Sequence, residues 1–165
     1  MSVRSAALMA AAFLSFNAAT ALAQPVDHKD KSFIEAALKA GAEEVDISRV
    51  AADRTAVPEV RSFAQMLVDD HTGANEKLAA IAMSKDVRVP AKDMSETNKW
   101  SKKSAKDFDH DYIDKMVSAH KDAVELFQKE ADKGEDPDTR AFARDTLPKL
   151  QHHLEMALDL KKTVK

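Results

Sequence analysis

Four residues could form a metal site, because each is a polar residue on a predicted apolar helical face. They are Glu44, His71, His120 and His153, one in each of four predicted helices. A polar side chain on a buried helical face costs free energy unless it is hydrogen-bonded or binds an ion. Three imidazoles and one carboxylate are a suitable ligand set for one four- or five-coordinate transition-metal ion, and imidazole suits Zn, Cu, Fe and Ni. The sequence therefore predicts a candidate metal centre with these four ligands.

The four residues also have nearly the same predicted depth along their helices. Depth is counted from the centre of each predicted turn, position 56 for Glu44 and His71 and position 135 for His120 and His153. Glu44 precedes its turn and His71 follows it; His120 and His153 flank the other turn in the same way. At a rise of ~1.5 Å per residue, the four offsets differ by at most about 9 Å. All four side chains can therefore share one layer near the middle of a bundle.

A structural role is the alternative interpretation of the same residues. Buried histidines in bundles are often neutral and hydrogen-bonded to a carboxylate or hydroxyl, and they then fix the packing of the helices without a metal. In that case Glu44 would pair with one histidine, and Tyr112, Asn75 or Thr146 would satisfy another. A shared layer is necessary for coordination but does not prove it. The sequence leaves both interpretations open.

Three acidic residues are weaker candidates for orienting the imidazoles. A carboxylate that accepts the second ring N–H of a histidine fixes that ring, and Asp69, Asp70 and Asp109 are available for this role. Asp69 and Asp70 are adjacent, so helical geometry does not allow both to face inward. Acidic residues are mostly exposed in folded proteins. We therefore expect these three to be solvated.

Apolar residues recurring at steps of three and four predict four long helices. Ser32, with Glu35 three residues later, is a capping box that would open the first helix. Pro58 suits the first turn of the second helix, and Pro137 suits the first turn of the fourth. The predicted helices cover about residues 32–55, 58–85 and 107–133, and residues from 137 onward.

Residues 86–106 form a polar connection between the second and third predicted helices, with a short helix possible from Ser95 to Lys103. An extended chain spans at most ~3.5 Å per residue, and a helix of about 25 residues is about 40 Å long. The connection can therefore cross the whole bundle, which lets the third helix run parallel to the second. The two other turns are short and force antiparallel pairs. The sequence thus predicts an all-α protein, an antiparallel four-helix bundle with a long crossover between helices two and three.

Composition excludes several classes of chemistry. The chain of 165 residues has no cysteine, which excludes disulfides, iron–sulfur clusters and thiolate nucleophiles. Its 25 basic and 28 acidic side chains are nearly balanced, which argues against a polybasic nucleic-acid-binding protein. The sequence has no phosphate-binding loop and no nucleophile elbow. We therefore predict no nucleic-acid partner, no catalytic residue and no organic cofactor site.

Residues 1–23 have the pattern of a secretory signal peptide. Arg4 gives a short positive start, residues 6–23 are almost wholly apolar or small, and the small-x-small sequence that ends at Ala23 is a cleavage site. A retained membrane anchor is the alternative. No later stretch has the length and apolarity needed to span a bilayer. We therefore expect cleavage after Ala23, a periplasmic location, a flexible lead at residues 24–31 and a bundle domain at residues 32–165.

Several runs along the chain carry a resemblance to a known family. These runs are Phe33-Ile34, Gly41 to Val45, Val60 to Met66, Asp70-His71, Phe108-Asp109 with Tyr112 and His120, and Leu147-Pro148 with His153-Leu154. In them the chain resembles an exported bacterial ferritin-like family that is known only as a domain of unknown function and is often labelled an outer membrane protein. The resemblance implies a ferritin-like four-helix bundle with a crossover between helices two and three, and it implies no activity.

The sequence departs from the pattern of classical ferritin-like enzymes. Di-iron carboxylate sites use a Glu-x-x-His pair on each of two helices. The residues three positions before the candidate histidines are not glutamates but Val68, Val117 and Leu150. This difference disfavours a ferroxidase, a di-iron oxygenase and an iron-storage shell. One ion in a histidine-rich site is the sharper prediction.

These features predict an exported, periplasmic bundle that binds one Zn, Cu, Ni or Fe ion in its core and is associated with stress or with the cell envelope. One alternative is a purely structural or interaction bundle without a metal, whose partner is an envelope protein or a second copy of the chain. The other alternative is a metal-dependent redox enzyme, which is less favoured because no catalytic motif is present.

Overall fold

Five helices make up most of the structure, a computed structural model that describes residues 26–91 and 93–164. In chain order they are α1 (His28–Arg54), α2 (Pro58–Ser84), α3 (Ser95–Ser101), α4 (Phe108–Lys133) and α5 (Pro137–Thr163). These two ranges contain no strand. The predicted all-α class is confirmed, but the predicted count of four helices becomes four long helices and one short one. The predicted signal peptide and its cleavage site lie outside the described residues.

The first helix begins one turn earlier than the capping box indicated, at His28 instead of Ser32. Its N-cap is Asp27, whose carboxylate accepts a hydrogen bond of 2.8 Å from the backbone N–H of Lys29. The hydroxyl of Ser32 donates to the carbonyl of His28, so it lies inside the helix and caps nothing. Part of the predicted flexible lead is therefore helical.

A buried aspartate stabilises this additional turn of α1. The carboxylate of Asp30 is almost fully buried and accepts hydrogen bonds from the backbone N–H groups of Glu135 and Asp136, in the turn between α4 and α5. Unpaired backbone donors would be costly at a buried helix start. The contact joins residues more than a hundred positions apart, so the local pattern around Ser32 could not reveal it.

Prolines lie at the starts of α2 and α5, as predicted. Pro58 and Pro137 occupy the first turns of α2 and α5, where the fixed φ of proline is already helical and its missing N–H costs nothing. The carboxylate of Asp136 accepts hydrogen bonds of 3.0 Å from the N–H groups of Asp138 and Thr139 at the start of α5. The ends of α2 and α4 agree with the prediction to within one residue.

The long helices form two hairpins, α1 with α2 and α4 with α5, and contact is most extensive within each hairpin. Residues 85–107 connect the hairpins and contain α3. Phe63 near the start of α2 and Tyr112 near the start of α4 pack together in the same apolar cluster. The two helices therefore run in the same direction, and the connection traverses the length of the bundle.

Two apolar clusters fill the interior, one towards each end. The first, near the turn between α4 and α5, includes Phe33, Leu38, Leu78 and Phe127. The second, near the turn between α1 and α2, is built around another set of buried residues: Ile47, Phe63, Leu67, Trp100, Phe108, Tyr112, Met116 and Ala157. The level between the two clusters is where the polar residues of the apolar faces lie.

The short helix α3 covers the second cluster. Its Trp100 is buried and packs edge-on against the rings of Phe108 and Tyr112. Arg54, the last residue of α1, donates hydrogen bonds of 2.6 Å to the carbonyls of Trp100 and Lys103 and lies over the ring of Phe108. Arg54 thus attaches the crossover connection to the end of the first hairpin.

None of the helices in the described ranges combines the length and the apolar character that crossing a bilayer requires.

Candidate metal centre

The four predicted ligands lie together at the middle level of the bundle, each on its own long helix. Glu44, His71, His120 and His153 are all buried, with exposed fractions of 4%, 6%, 0% and 1%. On each helix the residue lies between the parts that contribute to the two apolar clusters. Because the flanking side chains are apolar and tightly packed, the four polar groups are kept away from water and close to one another.

The three imidazole rings surround one common point. Their centroids are 5.4 Å apart for His71 and His120, 5.4 Å for His71 and His153, and 5.3 Å for His120 and His153. One nitrogen from each ring faces the same space, and these three atoms lie within 4.8 Å of one another. Nε2 of His120 is central, at 3.4 Å from Nε2 of His71 and 3.3 Å from Nδ1 of His153. Three potential nitrogen ligands therefore converge from three helices.

The carboxylate of Glu44 completes the group. Its Oε2 lies 3.1 Å from Nε2 of His71 and 3.6 Å from Nε2 of His120. Although these atoms are close, their alignment does not make a hydrogen bond, and Oε2 has no hydrogen-bond partner in the described part of the chain. A buried carboxylate oxygen without a donor is costly. This oxygen thus has the position and the free lone pair of a fourth ligand.

Hydrogen bonds on the outer side of two rings fix which nitrogen carries the proton. Nδ1 of His120 lies 3.0 Å from the carbonyl oxygen of Met116, which can only accept. Nε2 of His153 lies 2.9 Å from Oδ2 of Asp70, whose pKa is lowered although partial burial opposes this, because Lys149 and His153 bind the ionised carboxylate. Both outer nitrogens therefore donate their N–H.

The inner nitrogens of these two rings carry no hydrogen. His120 and His153 are neutral because burial lowers the pKa of each, that of His120 to about 4, so each ring has one proton and uses it on its outer side. Nε2 of His120 and Nδ1 of His153 therefore face each other with lone pairs at 3.3 Å. Two lone pairs at this distance repel, and a cation placed between them removes the repulsion.

Burial also determines the charge of the other two groups. Desolvation lowers the pKa of His71 to about 3, so this ring is neutral as well. Desolvation raises the pKa of Glu44 to about 8, although the charge of Lys115 acts in the opposite direction. A bound cation would add positive charge beside Glu44 and favour the ionised carboxylate. Near neutral pH the three rings are therefore neutral and Glu44 holds a proton in the metal-free site, and an ion that uses Glu44 as a ligand would displace this proton.

Sequence reasoning named one of the groups that orient the rings only as a weaker candidate and missed the other. Asp70 was expected to be solvated, but it accepts the N–H of His153 and is itself bound by Lys149, whose Nζ lies 2.7 Å from Oδ1. The carbonyl of Met116 is a backbone group, so no side-chain pattern could indicate its role. The signal for Asp70 was its position next to His71, since a residue beside an inward-facing one can reach a neighbouring helix.

Other candidates have different roles. Tyr112, a proposed partner for a histidine, instead shares a hydrogen bond of 2.9 Å with the hydroxyl of Ser48. Asp69 is exposed, as predicted. Asp109 lies in the first turn of α4, and His120 lies three turns further along the same helix. That separation corresponds to about 16 Å, which is too far for a contact with the ring.

The donor set fits a transition-metal ion. Three neutral imidazoles and one carboxylate match the nitrogen and oxygen ligands of Zn, Cu, Ni and Fe. Two of the imidazoles donate their second N–H to a carboxylate or a carbonyl, as metal-ligating histidines usually do. The free lone pairs of His120, His153 and Glu44 are the groups that an ion would satisfy. The arrangement can therefore hold one ion away from solvent.

Comparison with solved structures shows the same fold in proteins of low sequence identity. The crystal structure of a DUF305 fragment from Deinococcus radiodurans matches with a TM-score of 0.73 at 15% identity, over 86% of this chain and 100% of that one. CopM in the Cu(I)-bound form matches with a TM-score of 0.70 at 17% identity, over 81% of this chain and 96% of that one. At these identities the similarity concerns the fold alone.

No curated protein matches the sequence. Residues 15–160, most of the chain, match a family described as a domain of unknown function. This range includes all four residues of the candidate metal centre and nearly the whole of the four long helices. The chain therefore belongs to the DUF4142 family.

Proposed function

We propose that this protein is an exported helical bundle that binds one transition-metal ion through His71, His120, His153 and Glu44. The observation that carries the proposal is the pair of bare nitrogens, Nε2 of His120 and Nδ1 of His153, at 3.3 Å. Each ring uses its only N–H on an acceptor outside the site. A cation is the group that turns this repulsive contact into two favourable bonds.

The four side chains make a binding role more suitable than a catalytic one. Four protein ligands complete a tetrahedral set, whereas catalytic zinc sites keep one position for water or substrate. The candidate ligands are also nearly fully buried. We therefore propose storage, carriage or sequestration of the ion in the cell envelope, in a protein associated with stress or with envelope maintenance.

Zn, Cu, Ni and Fe are the ions to compare. Imidazole and carboxylate ligands accept all of them in the divalent state, and affinity generally increases towards Cu²⁺. A protein of the same fold, CopM, has been seen in a Cu(I)-bound form. Cu⁺ under reducing conditions therefore belongs in the same series.

The test is a metal titration of the protein purified without a histidine tag. We expect one ion per chain by elemental analysis and a higher melting temperature with the bound ion. A ligand at about 100 times its Kd stabilises the folded state by about 2.7 kcal/mol. If none of Zn²⁺, Cu²⁺, Cu⁺, Ni²⁺ or Fe²⁺ is taken up and none shifts the melting temperature, the proposal is wrong.

Two adjacent histidines provide a matched control. His153→Gln removes a proposed ligand, and we expect loss of the bound ion. His152→Gln changes the neighbouring residue, whose side chain is 64% exposed and lies outside the site, and we expect unchanged stoichiometry. Equal uptake by the two variants would contradict the assignment of ligands.

Export is proposed from the pattern of residues 1–23 and needs its own test. Arg4, the apolar run and the small residues before position 24 are typical of a cleaved signal peptide. We expect the protein in the periplasmic fraction to begin at Gln24 by N-terminal sequencing. An intact N terminus would instead indicate a retained segment.

A purely structural polar layer is the second candidate, and the hydrogen bonds to Met116 and Asp70 favour it because they hold the rings without an ion. In that case a hydrophobic residue of similar volume can replace a buried polar group with little loss of stability. The variant His120→Leu would then fold as stably as the parent protein, and the parent would bind no metal. Metal uptake by the parent and its loss in His120→Leu would exclude this candidate.

A further inference from the structure

A cavity of about 280 Å³ leads from the surface of the bundle to the candidate metal centre. Its lining includes the buried ligands Glu44 and His71. It also includes Asp122, which is exposed, and Lys115, whose side chain is 35% exposed. The cavity therefore connects solvent with two of the four proposed ligands.

All four long helices line the cavity, but its exposed lining residues, Ala36, Ala40 and Asp122, lie on α1 and α4, so it opens to solvent at the seam between these two helices. These two helices contact each other far less than the helices within either hairpin do. Alanines line the seam on both sides, Ala36 and Ala40 on α1 and Ala119 and Ala123 on α4. Their spacing of four positions places each pair on one helical face. Because the side chains are small, the seam is left open at the level of the site.

The opposite side of the site is closed by polar contacts. There His153 is bound to Asp70, and Asp70 is bound to Lys149. This chain of contacts joins α2 to α5 directly over the ring. Between α1 and α4, Oε2 of Glu44 lies 3.6 Å from Nε2 of His120 without a hydrogen bond in the described part of the chain. Nearer the surface, the ion pair of Glu43 and Lys115, at 2.8 Å, links the two helices.

We propose that the ion reaches the centre through the seam between α1 and α4, past the Glu43–Lys115 ion pair. This inference rests on the proposed metal-binding function and adds the route and the residues that control it. The carboxylates of Glu43 and Asp122 attract a cation to the opening, whereas the ammonium group of Lys115 repels it. Glu44 and His71 are then the first proposed ligands that the ion meets, because both line the cavity, and Oε2 of Glu44 has no hydrogen-bond partner in the described part of the chain.

The first test measures access without any metal. The chain has no cysteine, so a single introduced thiol reports its own environment. Ala37 lines the cavity, whereas Ala131 is also buried, with exposed fractions of 7% and 3%, but does not line it. We expect a small cationic thiosulfonate reagent to label the metal-free Ala37→Cys protein at least about tenfold faster than Ala131→Cys, since labelling of the latter requires the helices to open. Equal labelling rates would overturn the proposal.

The second test closes the seam and measures uptake rates. Ala119→Leu adds a branched side chain to the lining, and Ala40→Leu does the same if the first variant does not fold. The control, Ala80→Leu, adds this side chain at an exposed position outside the cavity. We expect seam closure to slow binding of Zn²⁺ and of Cu²⁺ in stopped-flow measurements by about tenfold, with an unchanged equilibrium affinity. Ala80→Leu should bind as fast as the parent protein. Unchanged rates in the seam variant would overturn the proposal.

The third test changes the charge at the opening. Lys115→Gln should accelerate cation uptake by a few-fold at low salt, and Glu43→Gln should slow it, because rim charges act mainly on association rates. High salt should remove both effects. The proposed route is wrong if Lys115→Gln slows uptake and Glu43→Gln accelerates it, or if the two effects are the same at all salt concentrations.

Failure of the route and failure of the metal centre give different results. If the parent protein binds one ion at equilibrium but the seam variant binds it at the parent rate, the centre is retained and the route is wrong. If no ion binds at equilibrium, the metal centre itself is wrong and the route is overturned with it, whatever the labelling rates are.

Discussion

At the scale of single residues, the properties of the site follow from where each imidazole uses its one proton. The Nδ1–H of His120 donates a hydrogen bond to the carbonyl of Met116, and the Nε2–H of His153 donates one to Asp70. Desolvation keeps both rings neutral by lowering their pKa. The inner nitrogens are therefore free to bind an ion, and the rings cannot rotate without losing a hydrogen bond.

The prediction at this scale concerns Asp70. Asp70→Asn replaces the charged acceptor of the His153 N–H with a neutral amide and also removes the ion pair with Lys149. Loss of a group that orients a metal-ligating histidine typically costs about 10–100-fold in affinity. We expect a weakening of about that size in competitive metal titrations, with the stoichiometry unchanged.

Asp69→Asn is the matched control for this experiment. Asp69 is the preceding residue and is exposed, so the same chemical change there should leave the affinity as it is. Similar losses in the two variants would mean that overall charge near α2, and not the orientation of His153, determines the affinity.

At the scale of secondary-structure elements, the crossover connection depends on one arginine. Arg54 binds the carbonyls of Trp100, Ser101 and Lys103 and lies over the ring of Phe108. The planar guanidinium can make these contacts at once because its donors have a fixed fork geometry. The helix α3 has only two turns, too few to be stable without such tertiary contacts.

We therefore expect Arg54→Lys to loosen α3 and the second apolar cluster. An ammonium group cannot reproduce the fork, and each hydrogen bond lost typically costs about 0.5–1.5 kcal/mol in unfolding free energy. Trp100 is the only tryptophan of the chain, so its fluorescence reports this region alone. Its emission should shift to the red at lower urea concentration than in the parent protein.

Arg49→Lys serves as the control for this measurement. Arg49 is also on α1, its side chain is 56% exposed, and its ion pair with Asp46 is made within the helix. The tryptophan transition should not move in this variant. If it moves as far as in Arg54→Lys, the effect comes from the general arginine content of α1.

At the scale of the whole molecule, the polar layer links global stability to pH in the metal-free protein. The pKa values of His71 and His120 are lowered by burial to about 3 and about 4. In the unfolded chain these rings bind protons below about pH 6.5, whereas in the folded protein they do not. The unfolded state therefore binds more protons in that range, and stability falls as the pH falls.

Glu44 makes stability fall as the pH rises, which is the opposite dependence and extends to a higher pH. Its pKa is raised by burial to about 8, so the folded state holds a proton that the unfolded state releases above about pH 4.5. This contribution is lost as the pH rises through about 8. The pKa of His153 is also lowered by burial. Below about pH 6.5 the effect of the three histidines on stability is therefore larger than that of the one glutamate.

We expect the metal-free protein to be most stable near neutral pH and to lose stability from about pH 6.5 to about pH 4.5. Each buried histidine contributes at most ~1.4 kcal/mol per pH unit in this window. Urea unfolding midpoints at several pH values would measure the slope. His120→Leu should make the slope smaller and His152→Gln should leave it unchanged, and a flat profile for the parent protein would contradict the burial argument.

The fold class and most helix boundaries could be predicted because they depend on local chemistry. Apolar spacing, Pro58 and Pro137 act within a few residues of the elements that they define. The start of α1 could not be predicted from Ser32, since it depends on Asp30 and a turn more than a hundred residues away. The short helix α3 was anticipated, but its attachment through Arg54 was not.

The sequence by itself determined which residues lie on the inner faces and at what depth, because helical rise and periodicity are constant. Counting residues from the predicted turns therefore placed four polar residues at one depth: Glu44, His71, His120 and His153. Only the tertiary structure decided which nitrogen of each ring faces inward, because this depends on acceptors from other helices and from the backbone. It also decided which seam is open, since the packing of α1 against α4 depends on how two hairpins pair and not on the sequence of either one.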